Sequence, residues 1–569
     1  MSDNAELHVV LCWHMHQPQY KDLLTGEYQL PWTYLHAMKD YIDMAAHIES
    51  TPEAKAVVNF APVLLDQLAD YKEQVSQFLL HGEEIRDPLL AALVSPNMPN
   101  APEKRFELMQ SCLRVNRSRV IDRFPAFSRL SSLSDVYDDR PEDACYASDQ
   151  FLIDLLVWYH LGWMAETVRR HDVRVTRLQE TARDYSMEER RELLVLIGEL
   201  LDDVIDRYRR LAEQGKIELC MTPYAHPIMP LLLDIGSARE AMPDVPLPDI
   251  EDYPGGRERS HWHMRKGLES FEKHFGRKPT GCWPAEGGVS RPALDLISEY
   301  GFRWTATGET VLRNSLNKYV GEWESAADDA VNKPYCLPDN KMPCFFRDDV
   351  MSDEIGFTYH TWHADDAVNN FIHRLEEIAN SYTDEKLVLP IILDGENAWE
   401  HYPENGYYFL NTLYEKLAAH PYLKLSTFSE CLDAGVEPKS LPGMVSGSWV
   451  YGTFSTWIGD RDKNRGWEML VDAKLAFDRI MADKSLSAEQ TELAEIQMSI
   501  CEGSDWFWWF GDYNASDTVS DFEKLFRLHL SNLYKTIGVD EPEYLSHTFA
   551  HGSGDPSLGG VMRHGQLCD

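Results

Sequence analysis

LVLPIILDGENAWEHYP, residues Leu387 to Pro403, is the stretch whose reading decides the fold. Its first seven positions hold six apolar residues and one proline, too short to span a bilayer and right for one buried strand. The run then breaks into Asp394, Gly395, Glu396, Asn397, Ala398, Trp399 and Glu400. Strand ends that face a loop are where α/β barrels keep their chemistry. Three acids, an amide and an indole within seven residues suit a polar, ring-shaped ligand. A capped helix start is the structural alternative, with Asp394 or Asn397 as the cap.

A second segment, PTGCWPAEGGVS from Pro279 to Ser290, weighs against that alternative. Glu286 follows Trp283 and Pro284 and precedes Gly287 and Gly288. The proline fixes the approach, and the glycines let the backbone come close to a bound ring. Such a carboxylate is suited to pointing at one atom with little slack.

Working outward, LHVVLC at Leu7 to Cys12 reads as the first strand and ends in Trp13, His14, Met15, His16, Gln17 and Pro18. His14 and His16 alternate and so share one face of a strand. They could bind a metal, donate to a sugar hydroxyl or an acid, or form a structural pair. Ala56 to Leu68 reads as a strand running into a helix, with Asn59 near the strand end. Residues 70–215 are mostly helical by pattern, with a loop from Ser128 to Cys145 and with Trp158 and Trp163 as core or lid residues. Ile217 to Met221 is the next strand and leads to His226, flanked by Pro223 and Pro227 and read as a polar-ligand contact or a packing histidine. A loop at 239–260 precedes a helix from His261 to Phe275 that Gly276 can cap. A strand is expected at Phe302 to Ala306, irregular chain at 310–340, and a helix at Asp365 to Ser381. Arg347 is expected to pair with Asp348 or Asp349. This strand–helix rhythm points to parallel α/β organisation.

After Pro442 the composition changes. Gly447 to Asp460 is an aromatic-rich loop, and helical patterns fill Gly466 to Thr536. They are interrupted at 501–512 by a dense aromatic cluster. Asp505 and Asp512 beside the aromatics favour the wall of a sugar cleft over a core plug.

The whole chain sets bounds on these readings. At 569 residues it is too long for one simple core. A formal charge of -39 argues against nucleic acid or an anionic membrane as partner and fits a neutral ligand or a saline environment. Ten cysteines without a CxxC pair demand no disulfide. The first residues show no basic-then-apolar leader, so a cytoplasmic setting is the default expectation.

Five motifs in order resemble those of glycoside hydrolase family 57, the α-glucan-active amylases, amylopullulanases, branching enzymes and 4-α-glucanotransferases. They are HMHQP at 14–18, the segment around Tyr224 and His226, WPAEGG at 283–288, DGENAW at 394–399 and EGSDWFWW at 502–509. The resemblance implies an α/β fold: a distorted (β/α)7 barrel over 1–435 with a helical excursion at about 70–215, then a mainly helical region over 436–569 that closes one side of the cleft. It implies Glu286 as nucleophile and Asp394 as general acid/base, with no metal or other cofactor. His14, His16, Gln17 and His226 fall at the sugar subsite beside the scissile bond, with Glu502, Asp505 and Trp506 from the helical region. Asn397 is suited to ring hydroxyls, and Trp283, Trp399 and Trp506 to stacking on sugar faces. WPAEGG lacks the cysteine of the branching-enzyme version and looks closer to the amylase side. The implied reaction is retaining hydrolysis of α-1,4 links in a neutral α-glucan, with glucanyl transfer, branching and debranching left open. For a retaining pair the carboxyl groups should lie about 5 to 5.5 Å apart. Of the two, Asp394 is expected to hold the proton, because it ends an apolar strand. Two rivals stand beside this reading: a metal-dependent polysaccharide deacetylase using His14, His16 and an acid, and a non-catalytic carbohydrate-binding protein.

Overall fold

The computed structural model describes residues 6–321, 331–382, 386–554 and 562–565. Its centre is a parallel sheet built on β1 (Glu6–Met15), buried along nearly its whole length. Burial on both faces explains why the strand reads as an almost unbroken apolar run. β1 pairs with β2 (Ala56–Phe60) on one side and β7 (Lys386–Asp394) on the other. β2 in turn pairs with β3 (Ile217–Met221), and the short β8 (Leu423–Leu425) joins the start of β1. All these ladders are parallel.

A second sheet has the order β4 (Thr305–Gly308), β6 (Asn340–Arg347), β5 (Tyr335–Leu337) and β9 (Lys439–Ser440). Only β5 and β6 run antiparallel. The segment 280–283 bridges the sheets: Trp283 donates its N–H to Met221 at 3.0 Å, and Cys282 donates to Trp304 at 3.1 Å. On the other flank Asp348 donates to the Pro390 carbonyl at 2.9 Å. Proline has no N–H to return, so no regular ladder forms there. Side chains take its place, since the Arg347 guanidinium donates to the Ile392 carbonyl at 2.8 Å and Ile392 donates to the Ser352 hydroxyl. The missing donor falls on this side of β7 only and leaves the β1–β7 ladder intact.

Helices cover the core. Pro62–His81 follows β2 with proline in its first turn, and Met187–Glu213 starts from a Ser186 capping box. The excursion at 70–215 is helical as expected, but the helix Pro125–Ser134 runs into the loop expected over 128–145. Pro125 supplies its first turn, a start signal hidden among serines. The expected strand at 302–306 lies at Thr305–Gly308 instead. The stretch expected to be irregular begins with the helix Glu309–Val320, and its residues 322–330 lie outside the described residues. Gly276 caps the helix Gly256–Phe275 in the left-handed conformation, as its position suggested. Among the described residues no helix is long and apolar enough to cross a membrane.

The chain beyond 460 adds the helices Arg461–Asp483, Ala488–Cys501 and Ser516–Thr536. They are fastened to Gly256–Phe275 by Glu502, which is 1% exposed. Arg259 donates to it at 2.8 Å, the His263 ring lies 2.8 Å away, and Tyr253 donates its hydroxyl at 2.5 Å. The Arg259 charge and the His263 hydrogen bond outweigh burial and hold the Glu502 carboxyl down at about 2. Removing one partner strands a buried charge, which costs about 3–5 kcal/mol. Arg259→Met should therefore lower the unfolding free energy by about that much, read from denaturant melts. Arg259→Met with Glu502→Leu should recover most of the loss.

Candidate active site

The carboxyl ends of the central strands carry the polar residues. Register sets His14 on β1 beside Asp394 on β7 and Asn59 on β2, with Asn59 beside Cys220 on β3. They meet a cavity of about 640 Å³ lined by His14, His16, Gln17, His226, Glu286, Asp394, Asn397 and Asp505. Those eight expected residues are brought together.

Four others do not line the cavity. Trp283 is fully buried beneath the turn that carries Glu286, and a Cβ at Gly287 would meet its ring at 2.8 Å. It supports the Glu286 turn from behind. Trp399 donates to the Gly395 carbonyl and packs edge-on against Trp13, bracing the loop after β7. Trp506 packs among Phe522, Phe526 and His529 and donates to the Ile500 carbonyl. Glu502 is the fastening just described. In each case a large or charged side chain near the motif turns to the core side of the loop, where its volume or charge is already satisfied.

Glu286 and His226 both adopt left-handed backbone conformations, at φ of 58° and 59°. For residues with a Cβ this is strained and is held by surrounding contacts. The Trp449 N–H donates to the Glu286 carbonyl, and its indole donates to Glu286 Oε2 at 2.9 Å. Trp449 was not among the expected site residues. Its signal is the GSWVYG turn within the aromatic loop after residue 446.

The histidines form a stack. The His16 and His226 rings lie 3.8 Å apart with 15° between planes, and His14 and His226 lie 5.1 Å apart. Asn59 gives its amide N–H to the Cys220 sulfur, so its oxygen faces His14 Nδ1 at 2.6 Å and also takes the Thr222 hydroxyl. Burial pushes His14 down to about 3, and burial also lowers His226, so both rings are neutral near pH 7. Neutral His14 with a proton on Nδ1 has a bare Nε2, which accepts from His226 Nε2 at 3.1 Å. His226 Nδ1 then accepts from the Ser504 hydroxyl at 2.8 Å. One proton order runs from Ser504 to Asn59. His16 is tied separately to Asp505 at 2.7 Å.

Donor atoms of His16, His226 and Asp505 lie within 4.8 Å of one another. An imidazole lone pair lies in its ring plane, however, and stacked rings send their lone pairs side by side. An ion at about 2.0–2.1 Å from each nitrogen would have to lie in both planes at once. Of the stack's ring nitrogens only His16 Nδ1, buried and without a protein partner, is left to meet a hydroxyl.

The two carboxyls differ in surroundings. Burial, and then the facing Asp394, raise Glu286 to about 8. Burial also raises Asp394, but the Asn397 amide, donating at 3.0 Å, and His16 and Arg347 restrain it to about 6. Glu286 is thus raised further than Asp394, against the expectation that Asp394 is the one to hold the proton. The reason is that Asp394 has the Asn397 amide and two basic side chains, His16 and Arg347, beside it. Glu396, behind them, accepts from the His16 N–H, Gln17 and Tyr41 and holds the chain after β1 in place. Arg347 pairs with Asp349 at 2.9 Å and Asp353 at 2.6 Å, so of its two expected partners it takes Asp349.

Two raised carboxyls beside two neutral histidines form a class of site suited to general acid/base chemistry. Sequence comparison narrows that class: residues 10–445 match the model described as glycosyl hydrolase family 57, and the chain belongs to this family. Its general activity is that of a glycosidase or glucan transferase. Solved structures share the fold at low identity. A branching enzyme of this family from Thermococcus kodakaraensis is 14% identical with a TM-score of 0.57, covering 93% of this chain and 88% of that one. A branching enzyme from Pyrococcus horikoshii is 15% identical with a TM-score of 0.55, covering 99% of both chains. The α-amylase AmyC of Thermotoga maritima is 14% identical with a TM-score of 0.55, covering 95% of this chain and 96% of that one. No curated protein matches the sequence.

Glu286 is raised above its ordinary value of 4.5, so the stability it contributes is full below that pH and is lost as pH rises towards about 8. Glu286→Gln removes that loss. The variant should match the native protein in thermal melts at pH 4 and exceed it at pH 8.5, by a difference on the order of a few kcal/mol.

Proposed function

We propose that this chain cleaves α-1,4-glucosidic bonds of malto-oligosaccharides, glycogen or starch-like polymers with retention of configuration. The paired strand ends are read as parts of one distorted seven-stranded barrel, a reading supported by the bridges at 280–283 and Pro390. The observation that carries the function is the pair of raised carboxyls, Glu286 and Asp394, in a cavity where His14 and His226 are neutral. A neutral polyhydroxy chain can enter without stranding a charge.

In this reading Asp394 gives its proton to the leaving oxygen while the Glu286 carboxylate attacks the anomeric carbon. The glycosidic C–O bond breaks and a glucosyl ester forms. Water or a sugar hydroxyl then attacks that carbon, loses its proton to Asp394, and releases Glu286. The free cleft favours the proton on Glu286, so binding has to shift it. A glycosidic oxygen that accepts from Asp394, and positive charge growing at the anomeric carbon beside Glu286, both favour that shift. Water as acceptor makes a hydrolase. A sugar hydroxyl makes a 4-α-glucanotransferase or branching enzyme, and the branching activity of two of the solved relatives keeps this second outcome in view.

One proton shared by the pair gives a bell-shaped pH profile. Activity should fall below about 6, where both groups are protonated, and above about 8, where neither is. Maltoheptaose and a branched glucan, with products resolved by length and linkage, test substrate and reaction together. Longer products or new α-1,6 branches would move the assignment to transfer, and inertness on both would remove it.

The roles have their own test. Glu286→Gln should abolish turnover, and azide should rescue it with an inverted adduct. Asp394→Asn should lose about 10²–10⁴-fold on natural glucans and much less in the first step on an activated aryl glucoside, with azide giving a retained adduct. Exchanged stereochemistry between the two adducts would exchange the roles.

A further inference from the structure

We propose that residues 562–565 form a fixed wall of the glucan cleft, and that Met562 and Arg563 limit how bulky a chain the cleft admits. The inference rests on the α-glucan reading above.

Met562 and Arg563 line the same cavity as Glu286 and Asp394. The Arg563 guanidinium lies over the Trp508 ring at 4.8 Å and the Tyr513 ring at 4.7 Å. Its Nη2 donates to Asn514 Oδ1 at 3.3 Å and reaches the Trp508 carbonyl at 3.5 Å. That end is anchored on the helical region. The next residue is anchored on the opposite side, since the His564 ring stacks on Phe357 at 3.9 Å. His564 Nδ1 lies 3.4 Å from the Asp353 carboxylate, and the Gly565 N–H donates to the same carboxylate at 2.8 Å. Arg347 holds Asp353 from the other side.

Gly565 explains why the segment sits so close. A Cβ there would stand 2.6 Å from Arg347 Nη1 and 2.6 Å from Asp349 Cγ. Arg347 is 2% exposed and Asp349 fully buried, so this ion pair has no room to give way. Four consecutive residues therefore tie the two banks of the cleft together, a reach of about 13–14 Å at most. An arginine stacked on aromatic faces is planar, weakly hydrated and rich in N–H donors, which suits sugar hydroxyls. A wall so built narrows the cleft to a single unbranched chain. A branched polymer has to bring its side chain past it.

The test compares two substrates on each enzyme, so a general loss of activity cancels. Gly565→Val should push the segment off the Arg347–Asp349 pair. Arg563→Ala, which introduces no clash, should release the other anchor. In both, kcat/KM for a branched glucan relative to maltoheptaose should rise about fivefold or more. Hydrogen exchange across 349–357 should quicken in Gly565→Val, as Asp353 loses the Gly565 N–H and keeps only Arg347. An unchanged ratio in folded variants, with the wild type active, overturns this inference alone. A wild type inert on both glucans overturns the α-glucan reading and this inference with it.

Discussion

The site depends on the parallel pairing of β1 with β7. That ladder runs without a break from Glu6 opposite Lys386 to His14 opposite Asp394. Its two strands are buried on both faces, so neither can slide without exposing apolar surface. A slip of one residue would also turn every side chain to the other face, carrying His14 and Asp394 out of the cavity. The same register sets Asn59 beside His14 and so decides which ring nitrogen holds the proton. Hydrophobic burial thus fixes the proton order of the histidine stack.

Around that frame the electrostatics are uneven by construction. Glu286 has one indole donor, two acids and one basic group, Arg563, around it, whereas Asp394 has an amide and two basic groups. Burial raises both, and the neighbours spread them apart. Sequence alone places an acid at each strand end but cannot count the donors, because Trp449 lies 163 residues from Glu286. The chemistry attributed to the pair needs the substrate to reverse the resting preference, which ties protonation to binding.

The strand core was legible because LVLPIIL and LHVVLC carry their burial openly. The polar residues after them were legible because histidines, acids and amides have little reason to crowd at strand ends. Orientation was not. Trp283, Trp399 and Trp506 stand next to cleft residues in the chain, yet an indole fills a core as well as it stacks on a ring. Which side of a loop it takes depends on packing partners such as Trp13 and Phe526. Glu502 misled for the same reason, its partner Arg259 lying 243 residues away. The helix at Glu309–Val320 was hidden by its polar composition, and the tail that brings Arg563 to the cleft carries no pattern at all.

The family match ends at residue 445, but Ser504 and Asp505 lie beyond it. They are the partners of His226 and His16, so the two stretches of chain divide their labour unequally. The carboxyl pair belongs wholly to the first. The second contributes the Trp449 donors to Glu286, the Ser504 and Asp505 contacts and a broad aromatic bank around Trp508 and Trp509. A change confined to Trp508 and Trp509 would therefore reshape the cleft wall while leaving the carboxyl pair and the donors that hold it in place.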